Sequence, residues 1–271
     1  MTLSDTRILF TDLDDTLLSS DKSVSAENLN SINEMMEAGH KFVVATGRPF
    51  YSAYKLSKNL GFVKPGFYIV ASNGGVIYDC GTSQMIKRTT VPFEYVSHVF
   101  SAAKENGIHV HTYTDEYVVS ERETEELKTY CSRISMPYKI LNHIPEDLPY
   151  EPPKVITIAS RSNLSELRSK LSGWCSGKMN TVFSSEFLLE FLPPSATKGN
   201  AVKYLCDYFG IPLKNSIACG DEENDISMID VAGIGAVMKN GTSLCKSHAN
   251  YITEHTNNEN AISEVIHKFI L

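Results

Sequence analysis

The chain has 271 residues, 42% of them hydrophobic, with 25 lysines and arginines against 32 aspartates and glutamates and a formal net charge of −7. That length supplies a full core and lies near the upper limit for one compact domain, which suits a large domain carrying a smaller insertion. The acidic balance, with both signs mixed along the sequence, argues against a nucleic-acid surface while leaving room for a local basic pocket for a small anion.

A short apolar strand opening at Ile8 ends in Asp12 and Asp14. Residues at i and i+2 of an extended segment point to one side, so both carboxylates can face one reacting centre. Strand, spacer and paired acids suit covalent carboxylate chemistry, although aspartate also favours turns. Ser23 or Ser25 then caps a helix with Leu29, Ile32, Met35 and Met36 on one face, ended by Gly39. A buried strand over 41–45 runs into Thr46-Gly47-Arg48-Pro49, followed by a helix to about Leu60. Residues 67–71 form a third strand, and Ser72-Asn73-Gly74-Gly75 before Val76 signals a hairpin. This alternation predicts a doubly wound parallel sheet.

The rhythm changes over 82–192. Strand-like runs at 109–114, 117–120, 154–159 and 188–192 alternate with helical patterns at 96–105, 123–131 and 164–171, as in an α+β module with an antiparallel sheet. The α/β rhythm then returns: helix 199–209, strand 216–219, helix 224–231, strands 234–238 and 251–253, helix 259–269. The expected organisation is a core built from 1–81 and 193–271 with an insertion of 82–192.

Asp12/Asp14, Thr46-Gly47, Lys198 and the run Gly220-Asp221-Glu222-Glu223-Asn224-Asp225 all fall at predicted carboxyl ends of core strands or at adjoining helix starts. Open α/β sheets bind ligands there, so the fold would gather these groups in one crevice. Phosphoryl chemistry needs this mixture. An attacking carboxylate and a phosphate repel by about 4 kcal/mol at ~4 Å and an effective dielectric of ~20, so cations must cancel the charge. Lys198 supplies a compact positive charge, and Asp12 with Asp221 could hold Mg²⁺. The Thr46 hydroxyl and Gly47 N–H suit phosphate oxygens. Asp14 suits proton transfer to a leaving alkoxide and then from water. Read singly, Thr46-Gly47 is equally a turn, Lys198 a surface lysine, and Asp221 to Asp225 a helix cap.

Asp12-Leu13-Asp14-Asp15-Thr16-Leu17-Leu18, Ala45-Thr46-Gly47-Arg48-Pro49, Ser72-Asn73-Gly74-Gly75, Thr197-Lys198-Gly199 and Gly220-Asp221-Glu222-Glu223-Asn224-Asp225 together resemble the successive motifs of haloacid dehalogenase-superfamily phosphatases of the Cof type. The resemblance covers essentially the whole chain. It implies a Rossmann-like core with an inserted α/β cap of the C2B type and Mg²⁺-dependent hydrolysis of small phosphate esters such as sugar or cofactor phosphates. It implies Asp12 as nucleophile, Asp14 as acid/base, and Mg²⁺ on Asp12, the Asp14 carbonyl and Asp221. Thr46, Gly47, Lys198 and Asn224 would bind phosphate, and Asp225 would orient Lys198 or a metal-bound water. Two positions depart from the family: Asp15 and Lys239 stand where relatives often carry glycine.

A phosphomutase shares the first motif and differs only in its products. A non-catalytic phosphosugar binder would have no need of Asp14, and a metal-dependent glycosyltransferase would leave Lys198 and Asp221 without a role. Within the insertion His109, His111, Tyr113, Tyr117, Arg133 and Tyr138 are candidate substrate contacts, although packing roles are commoner for such residues. Six scattered cysteines, Cys80, Cys131, Cys175, Cys206, Cys219 and Cys245, show no metal-ligand spacing and read as reduced thiols. The polar start over 1–5 and the lack of a long apolar run point to a cytoplasmic protein without a membrane partner. The particular ester and the oligomeric state are not readable from the sequence.

Overall fold

The computed structural model describes residues 5–271, so the polar start at 1–4 lies outside the described residues. In chain order the elements begin with β1 (Ile8–Thr11), α1 (Ala26–Glu37), β2 (Lys41–Ala45), α2 (Phe50–Asn59), β3 (Phe67–Ala71), β4 (Val76–Asp79) and β5 (Gln84–Arg88). There follow α3 (Phe93–Glu105), β6 (His109–Tyr113), β7 (Val118–Ser120), α4 (Glu125–Ile134), β8 (Tyr138–Ile140), β9 (Val155–Ile158), α5 (Arg161–Cys175), β10 (Asn180–Ser185) and β11 (Leu188–Leu192). The chain closes with α6 (Lys198–Phe209), β12 (Ser216–Gly220), α7 (Ile226–Val231), β13 (Ile234–Val237), α8 (Ser243–Lys246), β14 (Tyr251–Ile252) and α9 (Ala261–Phe269).

Two compact units result. One holds the residues up to Gly47, Tyr54–Lys87 and Thr197–Leu271; the other holds Arg48–Ala53 and Arg88–Ala196. The first contains an eight-stranded sheet in the order β14-β13-β12-β1-β2-β3-β4-β5. The pairs from β14 through to β3 are parallel, and β3 meets β4 antiparallel through the hairpin signalled by Ser72 to Gly75. The sheet runs beyond residue 81 because β5 adds to its edge.

The central strand β1 is fully buried, and Ile8, Phe10, Val43, Val70, Val202, Leu205, Ala218 and Met228 share one cluster between the sheet and its helices. Strands covered on both faces read as unbroken apolar runs, which is why 8–11, 41–45 and 67–71 were legible. The chain leaves β1 toward β2 and β3, then returns on the other side as β12, so the order reverses at β1. Register places Thr11 opposite both Val44 and Cys219, so Asp12 just beyond β1 lies level with Ala45 and Gly220, the last residues of β2 and β12. That is the switch point, where such sheets bind ligands.

Capping fixes the helices that flank this point. The Asn28 N–H donates to Ser25 Oγ (3.1 Å) at the start of α1, and the Asn200 N–H donates to Thr197 Oγ1 (3.1 Å) at the start of α6. Each satisfies a backbone donor that the first helical turn leaves without a partner. On α1 the buried set is Asn28, Ser31, Ile32 and Met35, and the two polar members meet α9: the Ser263 N–H donates to Asn28 Oδ1, and the Ser31 and Ser263 hydroxyls pair at 2.8 Å.

The second unit is a six-stranded sheet in the order β10-β11-β9-β6-β7-β8, antiparallel except for β7 and β8. One face packs on α3 and α5 through Val96, Phe100, Leu164, Leu167, Leu189 and Phe191. The other packs on α4 through Tyr113, Leu127, Tyr130, Ile156 and Leu188. Here His109, His111 and Tyr113 are buried and joined in a chain that ends on Tyr130, Tyr138 donates to Glu123, and Arg133 lies over the Tyr130 ring. All six cysteines are free and buried. Among the described residues no helix is long and apolar enough to cross a membrane.

Candidate active site

Lys198, the first residue of α6, has its ammonium buried between two carboxylates: it donates to Asp12 Oδ1 at 2.5 Å and to Asp225 Oδ1 at 2.6 Å. Asp225 is buried, and its other oxygen accepts the backbone N–H groups of Asp221 (2.9 Å) and Glu222 (3.1 Å). Both oxygens of Asp225 are therefore engaged in orienting Lys198 and the Asp221 turn. The Asp221 carboxylate accepts from Thr16 Oγ1 at 2.6 Å, and its backbone carbonyl accepts from the Thr242 N–H at 2.9 Å.

Asp12, Asp221 and Asp225 each offer a carboxylate oxygen within 4.8 Å of the others, all from buried residues. Burial raises Asp12 well above the ordinary carboxylate range, opposed by Lys198 and reinforced by Asp225 and Asp221. Burial likewise pushes Asp221 up to about 7, with the Thr16 hydrogen bond pulling the other way. Burial disfavours the charge on Lys198, but Asp12 and Asp225 outweigh it and hold the ammonium above its usual range. Three buried acids around this ammonium carry surplus negative charge, and a cation bound among hard oxygen donors is what relieves it. The donor set fits Mg²⁺ on that ground.

Asp14 is placed differently. Its carboxylate is partly exposed and ion-paired with Lys22 at 3.3 Å, outside the three-acid group. The backbone there is irregular: Asp14 is extended, while Asp15 at φ 57° is left-handed. Glycine meets that conformation at no steric cost, and aspartate is one of the few other residues that tolerate it, which accounts for the departure at this position.

Thr46 and Gly47 follow β2 beside the β3–β4 turn. The Thr46 N–H donates to Val70 O, and the Thr46 carbonyl accepts from the Asn73 N–H at 3.1 Å. Asn224 Nδ2 donates to Asn73 Oδ1 at 3.3 Å, and a Cβ on Gly47 would lie 3.1 Å from that oxygen, so a side chain here would crowd it. Asn73 thus ties the Thr46-Gly47 loop to Asn224. The sequence quoted Asn73 and Thr16 within motifs without giving either a role at the site, and it did not mark Thr242. Thr16 lay inside the first motif, where the chemistry of its acids masked it.

Acids gathered around one ammonium at the switch point of a doubly wound sheet define an α/β protein with a buried, charged candidate site where such sheets bind small ligands. The haloacid dehalogenase-like hydrolase family matches residues 9–266, and the chain belongs to that family. It is similar to the Streptococcus pyogenes protein M6_Spy0533, 27% identical over 266 residues and 98% of each chain. It is also similar to the 5-amino-6-(5-phospho-D-ribitylamino)uracil phosphatase YwtE of Bacillus subtilis, 27% identical over 286 residues and 96% of each chain. The crystal structure of a haloacid dehalogenase-like hydrolase from Bacteroides thetaiotaomicron superposes with a TM-score of 0.89 at 29% identity, over 97% of this chain and 99% of that one.

Proposed function

We propose that the protein hydrolyses small phosphate monoesters, sugar phosphates or cofactor phosphates, through a phosphorylated Asp12. The observation that carries this reading is the buried Asp12–Lys198–Asp225 array at the end of β1, with a second carboxylate two residues beyond the first. A binding protein would have no need of that second carboxylate, Asp14, whereas acid/base catalysis requires one. The relative from Bacillus subtilis, a phosphatase by name, supports the same class.

In the proposed reaction Thr46, Gly47, Lys198 and Asn224 hold the phosphate. A carboxylate oxygen of Asp12 forms a bond to phosphorus as the bond to the ester oxygen breaks, and Asp14 gives its proton to the departing alkoxide. Asp14, now anionic, takes a proton from the water that attacks the aspartyl phosphate, which frees inorganic phosphate and regenerates Asp12. Lys198, fixed by Asp225, offsets the charge on the transferring oxygens throughout. Mg²⁺, held by Asp12, the Asp14 carbonyl and Asp221, would neutralise carboxylate and phosphate charge together. We assign the unit of Arg48–Ala53 and Arg88–Ala196 the role of a cap that reads the leaving group. Six free cysteines suit a reducing compartment, so the reading is of a cytoplasmic enzyme.

The test is phosphate release from p-nitrophenyl phosphate and a panel of sugar and cofactor phosphates, with Mg²⁺ or with EDTA, for the native protein and Asp12→Asn. Metal-dependent release that vanishes in the variant is expected. No release from any ester by the native protein would overturn the reading.

A further inference from the structure

The loop that follows β13 carries none of the proposed catalytic groups, yet two segments that do carry them hang from it. On one side, the Met238 N–H donates to Gly220 O (3.0 Å) and the Thr242 N–H donates to Asp221 O (2.9 Å), which pins the turn bearing Asp221. On the other side, Asn240 Nδ2 donates to Asp15 O at 2.8 Å. The remaining atom of the same amide, Asn240 Oδ1, accepts the Asn257 N–H at 3.0 Å. Asn257 in turn is buried and donates through Nδ2 to Leu18 O at 2.9 Å. Two asparagines therefore hold the irregular turn of residues 13–18 by the carbonyls at Asp15 and Leu18.

The turn needs such support. Asp14 is extended and Asp15 left-handed within a stretch that is otherwise coiled, and the backbone bonds that close it, from the Leu17 N–H to Asp12 O and from the Leu18 N–H to Leu13 O, join its ends and not the Asp14 or Asp15 carbonyl. The Asp15 carbonyl belongs to the next peptide, and a hydrogen bond to it restrains rotation at Asp15, on which the direction of the adjoining Asp14–Asp15 peptide depends. Lys22, an ion-pair partner of Asp14, is more than half exposed, and an exposed pair of that kind constrains a side chain weakly. An amide braced at both ends constrains the backbone beneath it far better.

We propose that Asn240 is a positioning residue: its side-chain N–H, through the Asp15 carbonyl, sets the direction of the Asp14 carboxylate for proton transfer to the leaving group. The inference rests on the phosphatase reading and on Asp14 as its acid. Lys239, which departs from the family in the same loop, takes no part. Its N–H donates to Thr253 Oγ1 and its carbonyl accepts from Lys246.

The experiment compares two esters. The p-nitrophenolate of p-nitrophenyl phosphate leaves without a proton, whereas the alkoxide of glycerol phosphate cannot. Asn240→Asp keeps the acceptor for Asn257 and removes the donor to Asp15; Asn240→His can keep a donor and gives up the acceptor. With Mg²⁺ present, Asn240→Asp is expected to lower kcat on glycerol phosphate at least about tenfold more than on p-nitrophenyl phosphate, a modest part of what an aligned general acid contributes. Asn240→His and Lys239→Gly are expected to keep the native ratio of the two rates. Thermal melts of each variant establish that it is folded. Should Asn240→Asp not fold, Asn240→Ser, which is too short to reach Asp15, carries the same expectation. Equal losses on both esters, or none, overturn the role of Asn240. Absence of phosphatase activity in the native protein overturns the underlying reading instead.

Discussion

The Lys198 ammonium donates to one oxygen of Asp225 while the other oxygen of that carboxylate takes the backbone N–H groups of Asp221 and Glu222. Among the described residues every hydrogen-bond partner of the Asp225 carboxylate is a donor. Asp225→Asn must therefore turn an N–H toward another N–H, and a buried mismatch of that kind costs about 2 kcal/mol. We expect that loss in urea denaturation together with a fall in kcat of about 100-fold as Lys198 loses its anchor. A variant with native stability and native kcat would refute the orienting role.

Gly199 follows Lys198 at the start of α6, and a Cβ there would come within 2.1 Å of Ser227 O. That oxygen belongs to the backbone of α7 and has nowhere to move. Gly199→Ala should destabilise the protein by about 2 kcal/mol, within the range for overpacking a tight contact. Because the helix start would shift, phosphate release should fall as well. Equilibrium denaturation and steady-state assays of one preparation check both.

The second unit carries acid sensitivity in its interior. His109 Nε2 lies 3.1 Å from His111 Nδ1, and His111 Nε2 lies 3.2 Å from the Tyr113 hydroxyl. Burial brings His109 down to about 4, with Glu126 opposing and Arg122 assisting. Burial also lowers His111, aided by His109 and Lys154. Above the ordinary histidine value near 6.5 both states are neutral and the pair contributes nothing to the pH dependence. As pH falls below it the unfolded chain takes up protons that the folded chain refuses, so stability declines down to the folded value. His109 should cost about 1.4 kcal/mol between pH 7.5 and 5.5, and His111 adds to the decline in the same direction. His109→Gln should reduce that decline in denaturant titrations at the two pH values; an unchanged decline would show that His109 is not its source.

Ser72 and Asn73 both adopt positive φ, 51° and 56°. The Ser72 side chain is buried, and its hydroxyl has no hydrogen-bond partner among the described residues. Ser72→Gly relieves the left-handed strain and removes the orphaned hydroxyl, against the entropy that glycine gains in the unfolded chain. A net gain of about 1 kcal/mol is expected in a thermal or urea melt. A loss would mean that the hydroxyl or the Cβ supports the turn.

The sequence exposed what is written in contiguous residues. β1, β2 and β3 are buried on both faces and appear as apolar runs, and the hairpin at Ser72 to Gly75 is marked by its own turn residues. β5, β8 and β10 were not read as strands because they lie at or beside sheet edges and carry polar residues such as Gln84, Lys139 and Asn180, so no apolar pattern marks them. The acids of the site stood out through their spacing. Their supports did not: the bonds from Asn240 to Asp15, from Thr16 to Asp221 and from Asn224 to Asn73 join residues 225, 205 and 151 positions apart. Each is an ordinary polar residue whose role exists only once the fold brings its partner near.

The return of the chain to β1 has a consequence for synthesis. Lys198 lies 186 positions beyond Asp12, and the neighbour of β1 on that side, β12, begins only at Ser216. A ribosome therefore completes the second unit while the strand bearing Asp12 still has one bare edge. Pairing across so long an interval is slow to find, and an apolar edge left open invites partners from other chains. The growing chain depends on its final quarter to cover its own central strand.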